Sequence, residues 1–587
     1  MSSFLRHLAI QLQRSLAIGG VVLCLTACAE LPKNVDRPVS TALASPAAAD
    51  TPLAAVVQKR REAAKGRFDS GFMLLDGAPA AYGSRLALVE GAQKTLDLQY
   101  YAIHADASTA RLLIGVRDAA RRGVRVRILL DDFHSTGRDA LVMRLAFEPN
   151  IEMRMFNPLA GARASTVGRL FNSLDDASRI QQRMHNKLFI ADNVLAVTGG
   201  RNLGDAYFGN ASKANFIDLD VLVAGPIVQD LSRSFDAYWN NERAYPVQSL
   251  VTREELDEMR AQVKKADAAQ RDPPAAGGSP ASADSEQRPQ GDAPTPEQRA
   301  HAWDQKAMDL GTAIFVWAPA VVLVDRPGKI AADDAGPKSA GAGKAPGLVV
   351  TRQSGRPAGA RPGNSLDAAA ATAASGDTVV EGLLQLIGTA RNDLLIISPY
   401  FVPGPDMKQA FASARARGVR IRVLTNSLAS NDAPVAHVGY ARHREELLAM
   451  GIELYELRSE QAGLGSAFGS SGSNMSGESR SMLHSKVLVM DGRMLVVGSM
   501  NLDLRSQLQN TEIALLIRSD ELSRVAAGKI ETALREGAWR VEQDDGHLVW
   551  RAPQGSGLQD TTTEPDASAS LRLMLKMFGP LAPDRLL

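Results

Sequence analysis

Short apolar runs alternate with segments of helical spacing in the first part of the chain. The runs are short and apolar on both faces, which is typical of strands inside a layered fold. Ser84 precedes apolar positions at helical spacing and is a suitable N-cap. These patterns predict helices over 84–95 and 108–122 and strands over 96–103 and 124–130.

The same alternation returns about three hundred residues later. The run Ala-Arg-Arg-Gly-Val-Arg-Val-Arg-Ile-Leu at 120–129 parallels Ala-Arg-Gly-Val-Arg-Ile-Arg-Val-Leu at 416–424, which indicates an internal repeat. The sequence therefore predicts two α/β halves of one kind, each with a largely parallel core sheet. In the second half it predicts helices over 378–390 and 406–417 and strands over 394–398 and 419–425.

Two polar stretches of low complexity separate the halves. Residues 264–297 and 331–376 are rich in Ala, Pro, Gly and Asp without apolar periodicity, which is typical of disordered segments. The expected organisation is a signal peptide over 1–27, a tether over 28–66, half 1 over 67–245, a largely disordered linker over 246–311, a strand region of half 2 over 312–330, a disordered insert over 331–376, half 2 over 377–545, and a tail with an amphipathic segment over 546–587.

The first residues have the features of an export signal. Arg6 and Arg14 precede an apolar stretch over 16–27 that is too short to span a bilayer, and small residues then lead to Cys28. The segment resembles a bacterial lipoprotein signal, which implies lipidation at Cys28 and a membrane anchor there. Because Ala29 is not the aspartate that retains such proteins at the inner membrane, we expect a periplasm-facing protein of the cell envelope, at the outer membrane rather than the inner one.

Charge and the far end of the chain add two expectations. The net charge is +1, which provides no global field for a polyanion, so no nucleic acid partner is expected. The segment 571–581 is amphipathic, and we expect it to pack against the body, with contact to a lipid interface as the alternative.

One short pattern occurs once in each half: His-x-Lys, four residues, then an aspartate. Each copy continues with an apolar run, two small residues, an asparagine and a later carboxylate. A lone histidine before an apolar run is usually structural, but duplication of the whole constellation favours a functional role. The members are His185, Lys187, Asp192, Gly199, Gly200, Asn202 and Asp218 in the first copy, and His484, Lys486, Asp491, Gly498, Ser499, Asn501 and Glu512 in the second.

These residue types suit a phosphate ester. The imidazole and the ammonium, two positions apart on a strand, project from one face, so the imidazole can attack phosphorus or transfer a proton while the lysine neutralises the non-bridging oxygens. Asn202 and Asn501 can donate to the same oxygens. Asp218 and Glu512 are placed to accept the other ring N–H of a histidine and so fix its tautomer. None of the spacings resembles a zinc or calcium site, and no metal or other cofactor is expected.

The paired motif resembles the signature of the phospholipase D superfamily over roughly 71–541, apart from a central insert. The segments 199–208, 425–457 and 498–512 are similar to the bacterial cardiolipin synthase C branch. The resemblance implies two α/β/α sandwich halves related by pseudo-twofold symmetry, with the active site at their interface. It also implies that the motif residues are catalytic: His185, Lys187, Asp192, His484, Lys486 and Asp491. The turn sequences around Asp192 and Asp491, however, favour a structural role for these two aspartates.

The resemblance implies a phosphatidyltransferase that makes cardiolipin from phosphatidylglycerol and a second phospholipid through a phosphohistidine. A phospholipase D that hydrolyses phospholipids to phosphatidic acid is the alternative. A nuclease is disfavoured by the near-neutral charge and the lipid anchor, and a non-enzymatic scaffold by the two complete motifs. The motifs leave open which histidine is the nucleophile, which lipid is the donor, the oligomeric state, and whether an accessory protein takes part.

Overall fold

The computed structural model describes residues 31–161, 163, 177–271, 293–330, 347–351, 365–459 and 480–578. Two large sheets dominate them, one in each half. The strands are β1 (Gly71–Leu75), β2 (Thr95–Tyr100), β3 (Arg125–Asp131), β4 (Ile151–Phe156), β5 (Leu188–Ala191), β6 (Leu195–Gly199), β7 (Ala214–Ile217), β8 (Asp220–Ala224), β9 (Ala244–Pro246), β10 (Val316–Trp317), β11 (Ala320–Asp325), β12 (Leu348–Thr351), β13 (Asp393–Ile397), β14 (Phe401–Val402), β15 (Arg420–Asn426), β16 (Glu453–Leu457), β17 (Arg480–Leu483), β18 (Val487–Met490), β19 (Met494–Gly498), β20 (Leu502–Asp503), β21 (Ile513–Arg518), β22 (Ala538–Asp544) and β23 (His547–Arg551).

The two sheets repeat one topology. The first has the order β10-β1-β8-β6-β5-β2-β3-β4-β9 and the second the order β12-β11-β21-β19-β18-β13-β15-β16-β22-β23. Only β2-β3-β4 and β13-β15-β16 are parallel, and the other neighbours run antiparallel. The expected α/β halves are confirmed, but the expectation of largely parallel sheets is wrong. The strands after each motif, β5-β6 and β18-β19, are joined by tight turns, and such turns connect antiparallel strands.

Helices cover the sheets at the expected places, with small shifts of their ends. The predicted N-cap at Ser84 is wrong, because the helix begins at Ala78 and the Ser84 hydroxyl donates to the Ala81 carbonyl at 3.0 Å inside it. The α-helices are α1 (Ser45–Ala49), α2 (Pro52–Ala64), α3 (Ala78–Gly91), α4 (Ala107–Arg121), α5 (Ala177–Gln181), α6 (Ile227–Trp239), α7 (Arg253–Arg271), α8 (Pro296–Asp304), α9 (Ser365–Ala373), α10 (Val379–Ile387), α11 (Pro405–Ala416), α12 (Pro434–Ala441), α13 (Arg444–Ala449), α14 (Leu504–Leu508), α15 (Asp520–Glu536) and α16 (Ala569–Phe578).

One apolar cluster joins the two halves. It contains side chains from both sheets, such as Val221 and Val489, together with Phe235 of α6 and Ile530 of α15. Each large apolar side chain buried here stabilises the folded state by about 1.5–3 kcal/mol. The halves therefore meet across a continuous core, and their motif strands face each other over it.

The described part of the expected tether packs on half 1. The segment before α1 is bound to the body, since Ala42 N donates to the Asp236 carboxylate at 2.8 Å and Arg127 donates to the Ser40 carbonyl at 3.0 Å. Leu53 of α2 is 3% exposed. The expectation of a free tether over 28–66 is wrong for these residues, because apolar positions of α2 find a place in the core of half 1.

The expected linker and insert also contain ordered elements. Helices α7 and α8 lie within 246–311, and a capping box between Thr295 and Gln298 starts α8. Within 331–376, β12 pairs with β11, and α9 buries Leu366 and Ala370. The prediction of disorder is wrong for these elements. In α9, the alanine-rich composition concealed a helical spacing of buried positions. The remainder, 272–292, 331–346 and 352–364, lies outside the described residues.

Two boundaries also differ from expectation. The strand region 312–330 is divided between the halves, since β10 pairs with β1 of the first sheet and β11 with β21 of the second. Half 2 extends past 545, because β22 and β23 form a hairpin at the edge of its sheet. In the tail, α16 lies beside α12, and its Leu573 and Met577 side chains are exposed.

Candidate active site

The two motif histidines stand just before central strands of their own halves, β5 and β18. Their backbones pair with the opposite half. His185 N donates to the Thr511 carbonyl at 3.0 Å, and His484 N donates to the Ile217 carbonyl at 2.8 Å. The two halves thus exchange backbone hydrogen bonds at the point where the histidines emerge.

The side chains exchange partners in the same way. His185 Nδ1 lies 3.0 Å from an oxygen of Glu512, which belongs to half 2. His484 Nδ1 lies 2.7 Å from an oxygen of Asp218, which belongs to half 1. Each carboxylate follows its own motif in sequence but fixes the ring of the other motif, with Nδ1 as the donor and Nε2 directed away. The two motifs therefore build one site between the halves.

Both lysines are buried beside the histidines. Lys187 Nζ donates to the His185 carbonyl at 2.6 Å, and Lys486 Nζ donates to the His484 carbonyl at 2.5 Å. Burial lowers the pKa of Lys187 well below its usual range, and Lys486 lowers it further. Burial also lowers the pKa of Lys486. Two such groups at close range disfavour each other's charge, and an anion between them offsets that repulsion.

The histidine rings are held neutral near pH 7. Burial lowers the pKa of His185 to about 4, although Glu512 opposes this shift. Burial, followed by the charge of Lys486, lowers the pKa of His484 well below the ordinary value. With Nδ1 protonated toward a carboxylate, the Nε2 lone pair of each ring is available to attack or to accept a proton.

The two orienting carboxylates differ. Burial opposes ionisation of Glu512, but His185 and Lys187 outweigh it and lower the pKa of Glu512 to about 2. The Glu512 carboxylate also accepts hydrogen bonds from the Ser499 and Ser506 hydroxyls. Burial instead raises the pKa of Asp218, although Arg201 and Lys486 oppose that shift.

The two motif aspartates do not reach the site. The Asp192 carboxylate accepts from the backbone N–H groups of residues 93–95, and the Asp491 carboxylate accepts from those of residues 391–393. Both residues have φ near +51°, which suits Asp at a turn. Their catalytic assignment by resemblance is therefore wrong for this geometry, and the structural role expected from the turn sequences fits it. They fasten each motif hairpin to the neighbouring strand.

The two asparagines are buried near the motifs but in different states. Asn202 donates from Nδ2 to the Tyr207 hydroxyl at 3.0 Å and accepts from Ala102 N at 3.3 Å. Asn501 Oδ1 is buried without a hydrogen-bond partner among the described residues. Phosphate binding by both residues stays a prediction, and the Asn202 amide already donates a hydrogen bond to Tyr207.

The sequence reasoning missed a matched pair that positions the histidines. Asp131 Oδ2 accepts from Met184 N at 2.8 Å, and Asn426 Oδ1 accepts from Leu483 N at 2.8 Å. These residues end β3 and β15, at equivalent places of the repeat. Their shared position at the end of the repeated segment was the signal that could have found them.

Aromatic side chains also line the site and were missed. Tyr101 packs edge-on against His185, with ring centroids 5.1 Å apart. Tyr207 packs edge-on against His484 at 5.2 Å, and Phe216 lies 4.9 Å from the same ring. Tyr101 follows the end of β2 and Phe216 lies in β7, and no periodic pattern in the sequence marks these aromatic residues.

Three expectations concern features other than the motif residues. In the described ranges, no helix is long and apolar enough to cross a bilayer. Across the same residues, no group of three or more His, Cys, Asp and Glu side chains is arranged to hold a metal ion. Cys28 and the signal segment lie outside the described residues.

Comparisons with known proteins agree with this duplicated geometry. The family described as "Cardiolipin synthase, PLD-like domain" matches residues 86–239 and 383–533, one segment in each half. Cardiolipin synthase C of Escherichia coli strain K12 is 33% identical over 520 residues, which cover 88% of this chain and 96% of that protein. Cardiolipin synthase A of Erwinia tasmaniensis is 22% identical over 80% of this chain and 70% of its own length. A phosphatidylserine synthase from Haemophilus influenzae has the same fold, with a TM-score of 0.51 at 12% identity, over 90% of this chain and 98% of its own.

Proposed function

This chain belongs to the cardiolipin synthase family of phospholipase D-like proteins, and on that premise we propose that it makes cardiolipin from phosphatidylglycerol and a second phospholipid. Its activity as a phospholipase D-type phosphatidyltransferase follows from the two matched segments and the full-length relative. The choice of acceptor and the phosphohistidine intermediate are proposed from the chemistry of the paired site.

One observation carries the proposal: each histidine is oriented by a carboxylate of the opposite half. This arrangement presents two imidazoles, His185 and His484, in one buried site with two lysines. Displacement at phosphorus needs a nucleophile on one side and an acid under the leaving oxygen on the other. The two motifs, which meet at the interface between the halves, supply both the nucleophile and the acid.

In the first step, one histidine attacks the phosphodiester through Nε2. A P–N bond forms, the P–O bond to the leaving alcohol breaks, and the other histidine gives its proton to the leaving oxygen. Burial alone disfavours the protonated form of that second histidine, but the negative charge of the bound donor phospholipid favours it. Lys187 and Lys486 stabilise the charge that builds on the non-bridging oxygens.

In the second step, a hydroxyl of phosphatidylglycerol attacks the phosphohistidine. Its proton passes to the histidine that acted as the acid, the P–N bond breaks, and a new P–O bond completes cardiolipin. The first histidine is again neutral and the second is again protonated, as each was in the complex with the donor lipid, so the proton balance closes without an added reactant.

The test is a product analysis with the purified protein. Vesicles of mixed phosphatidylglycerol and phosphatidylethanolamine would be supplied, with and without EDTA, and lipids separated as cardiolipin, phosphatidic acid and free head group. We expect cardiolipin, in equal amounts with and without the chelator. Phosphatidic acid as the only product would instead identify a phospholipase D, in which water resolves the intermediate.

We also propose that the protein is anchored by a lipid at Cys28 in the bacterial cell envelope, faces the periplasm, and resides at the outer membrane. The lipoprotein-like segment before Cys28 supports this proposal. Cys28→Ser is expected to leave turnover of detergent-dispersed lipid unchanged while cardiolipin formed in cells falls. An equal loss in both assays would show that this residue does more than anchor the chain.

A further inference from the structure

The last described helix, α16, is fastened to half 2 through a buried ion network. Glu564, shortly before the helix, accepts from Arg444 Nη1 at 2.5 Å and lies 3.4 Å from His437 Nε2. Arg444 also donates to Glu456 at 2.8 Å, and Arg572 of α16 donates to the Glu564 carbonyl at 3.0 Å. Arg444 and Glu456 are buried, so loss of the Glu564 contact would leave buried charge short of a partner. The network therefore holds the start of α16 at a fixed place on half 2.

The fastened helix directs apolar side chains to solvent. Leu573 and Met577, one turn apart on the same face of α16, are each 58% exposed. Val435 of the adjacent helix α12 is 53% exposed. We call Val435, Leu573 and Met577 the docking face. A single exposed apolar side chain needs no explanation, but neighbouring ones on two packed helices indicate a partner outside the chain.

The docking face begins at the edge of the paired site. Asn426, at the end of β15, accepts from Leu483 N at 2.8 Å, immediately before His484. Burial lowers the pKa of His484, and the charge of Asp432, in the turn that follows β15, opposes this shift. Val435 lies three residues after Asp432, so at most about 11 Å of chain separates them. A surface in contact with the docking face is therefore also close to the site.

The charges of the two helices suit an anionic surface. Neither α12 nor α16 contains a carboxylate, and α16 contains Arg572 and Lys576. Helix α15, which exposes Val525 on the other face of the second sheet, contains four acidic residues. Exposed apolar residues combined with cations and no acid are typical of a helix that binds an anionic lipid surface. A second copy of this chain would bring no complementary charge, because its own docking face presents the same cations.

We propose that the docking face lies on an anionic phospholipid bilayer and sets the paired site against the lipid on which it acts. The three apolar side chains leave water for the interfacial region of the bilayer, while Arg572 stays at the level of the phosphates. This contact goes beyond the proposed function and differs from the Cys28 anchor. A lipid anchor raises the local concentration of the enzyme at the membrane, whereas the docking face fixes its orientation there.

The first experiment measures binding to vesicles by sedimentation. Full-length protein with Cys28→Ser and His185→Ala would serve as the parent, so that neither lipidation nor turnover contributes. The vesicles would contain phosphatidylcholine alone or mixed with phosphatidylglycerol. We expect Leu573→Gln combined with Met577→Gln to lower the partition coefficient on the mixed vesicles at least about 10-fold, because two apolar side chains no longer leave water.

A charge variant and a matched control accompany this double variant. Arg572→Gln should lower the partition coefficient about 5-fold on the mixed vesicles and leave the weaker binding to phosphatidylcholine alone unchanged. Ile314→Gln combined with Val525→Gln also removes two exposed apolar side chains, but from other surfaces, and should not change binding.

A second measurement reports on orientation. In the Cys28→Ser protein with both motif histidines intact, turnover would be compared on vesicle lipid and on a monomeric short-chain phosphodiester. The ratio of the two rates should fall when Leu573→Gln and Met577→Gln are added, since only the vesicle reaction needs the docking face. An unchanged ratio would contradict a role of the docking face in presenting the site to the bilayer.

The remaining outcomes also decide the question. Equal binding of the parent and the Leu573→Gln, Met577→Gln variant would overturn the proposal, as would an equal loss in the control. Self-association of the parent that this variant abolishes, with vesicle binding unchanged, would identify a second copy of the chain as the occupant instead. If the double variant has a lower thermal unfolding midpoint, Val435→Gln replaces it, and unchanged binding of that variant would overturn the docking face. Vesicle binding does not depend on which product the enzyme makes, so failure of the cardiolipin assignment would leave this test intact.

Discussion

The two halves of the site make the same contact with different anions. Glu512 holds His185 and has a pKa of about 2, while the pKa of Asp218, which holds His484, is raised by burial. Both carboxylates are fully buried, so burial does not distinguish them. The difference lies in the charges and donors around them. His185 and Lys187 lower the pKa of Glu512 most, and two serine hydroxyls also donate to it, whereas Arg201, Lys486 and Leu219 N do not outweigh the effect of burial on Asp218.

The small-residue pair after each motif contributes to this difference. Ser499 occupies the position of Gly200, and its hydroxyl donates to Glu512. At Gly200 there is no room for any side chain, because an added Cβ would overlap the Asp218 carboxylate. The carboxylate is therefore a glutamate beside a serine in one half and an aspartate beside a glycine in the other. Both halves have the contact between carboxylate and histidine, but the pKa of the carboxylate differs between them.

The largest effect should come from removing either ring. His185→Ala and His484→Ala are each expected to lower kcat on the order of 10⁴-fold, because the two-step reaction needs a nucleophile and an acid together. The fall in kcat is measured as product formation from a chromogenic or short-chain phosphodiester. His547→Val, which replaces an exposed histidine of β23, is the control. Near-normal turnover in either alanine variant would separate the half-sites and remove the paired mechanism.

The lysines should behave alike despite the different carboxylates. Lys187→Ala and Lys486→Ala each remove a charge that stabilises the developing anion, with an expected loss of about 10²–10³-fold in kcat/KM. Saturation kinetics on one donor lipid measure it. A loss at one position alone would mean that the site is less symmetric than its hydrogen bonds indicate.

The sequence predicted which residues form this site better than it predicted which of them are in contact. Duplication revealed both histidines and both carboxylates, since each follows its motif at a recognisable place. The exchange was not predictable, because Glu512 reaches His185 across 327 positions and only the packing of two halves decides that contact. The same limit applies to residues 31–64, which the sequence predicts as part of a tether, although Leu53 and Val57 of α2 pack in the core of half 1. Local turn chemistry, by contrast, correctly assigned Asp192 and Asp491 to the backbone.

Neutralising the carboxylates should expose the difference between them. Glu512→Gln and Asp218→Asn are each expected to lower kcat about 10²-fold or more, with the larger loss for Glu512→Gln, since its anion persists to lower pH.

On acidification Asp218 takes up a proton before Glu512, so His484 loses its partner first. Activity of the wild type should therefore fall through the raised pKa of Asp218, and Asp218→Asn should lose that part of the acid limb. Profiles of kcat/KM over about pH 4 to 8 measure this. Superimposable acid limbs in the two enzymes would contradict the assignment.

A methyl group at Gly200 tests whether packing sets the Asp218 side of the comparison. Gly200→Ala forces the Asp218 carboxylate to move, so we expect a loss of roughly 10²-fold in kcat from misplacement of the group that orients His484. Gly492→Ala, at an open turn with φ of +62° where nothing lies near the added carbon, controls for glycine replacement as such. Equal activity of Gly200→Ala and wild type would show that the site tolerates a displaced anion.

The smallest effect should come from Ser499→Ala, which makes half 2 resemble half 1 by removing the hydroxyl that donates to Glu512. A hydrogen bond to a charged group contributes about 1.5–3 kcal/mol, but Ser506 still donates to the other oxygen, so we expect only about a 10-fold fall in kcat. The pKa of Glu512 should rise, because an interaction that favours its ionised form is gone. In the Asp218→Asn background, where the acid limb no longer reports Asp218, adding Ser499→Ala should then move the acid limb upward. Because Ile513 N also donates to the Ser499 hydroxyl at 3.0 Å, Ser499→Thr, which keeps that oxygen, serves as the control. An acid limb that does not move when Ser499→Ala is added to Asp218→Asn would mean that the two half-sites differ for a reason other than the serine.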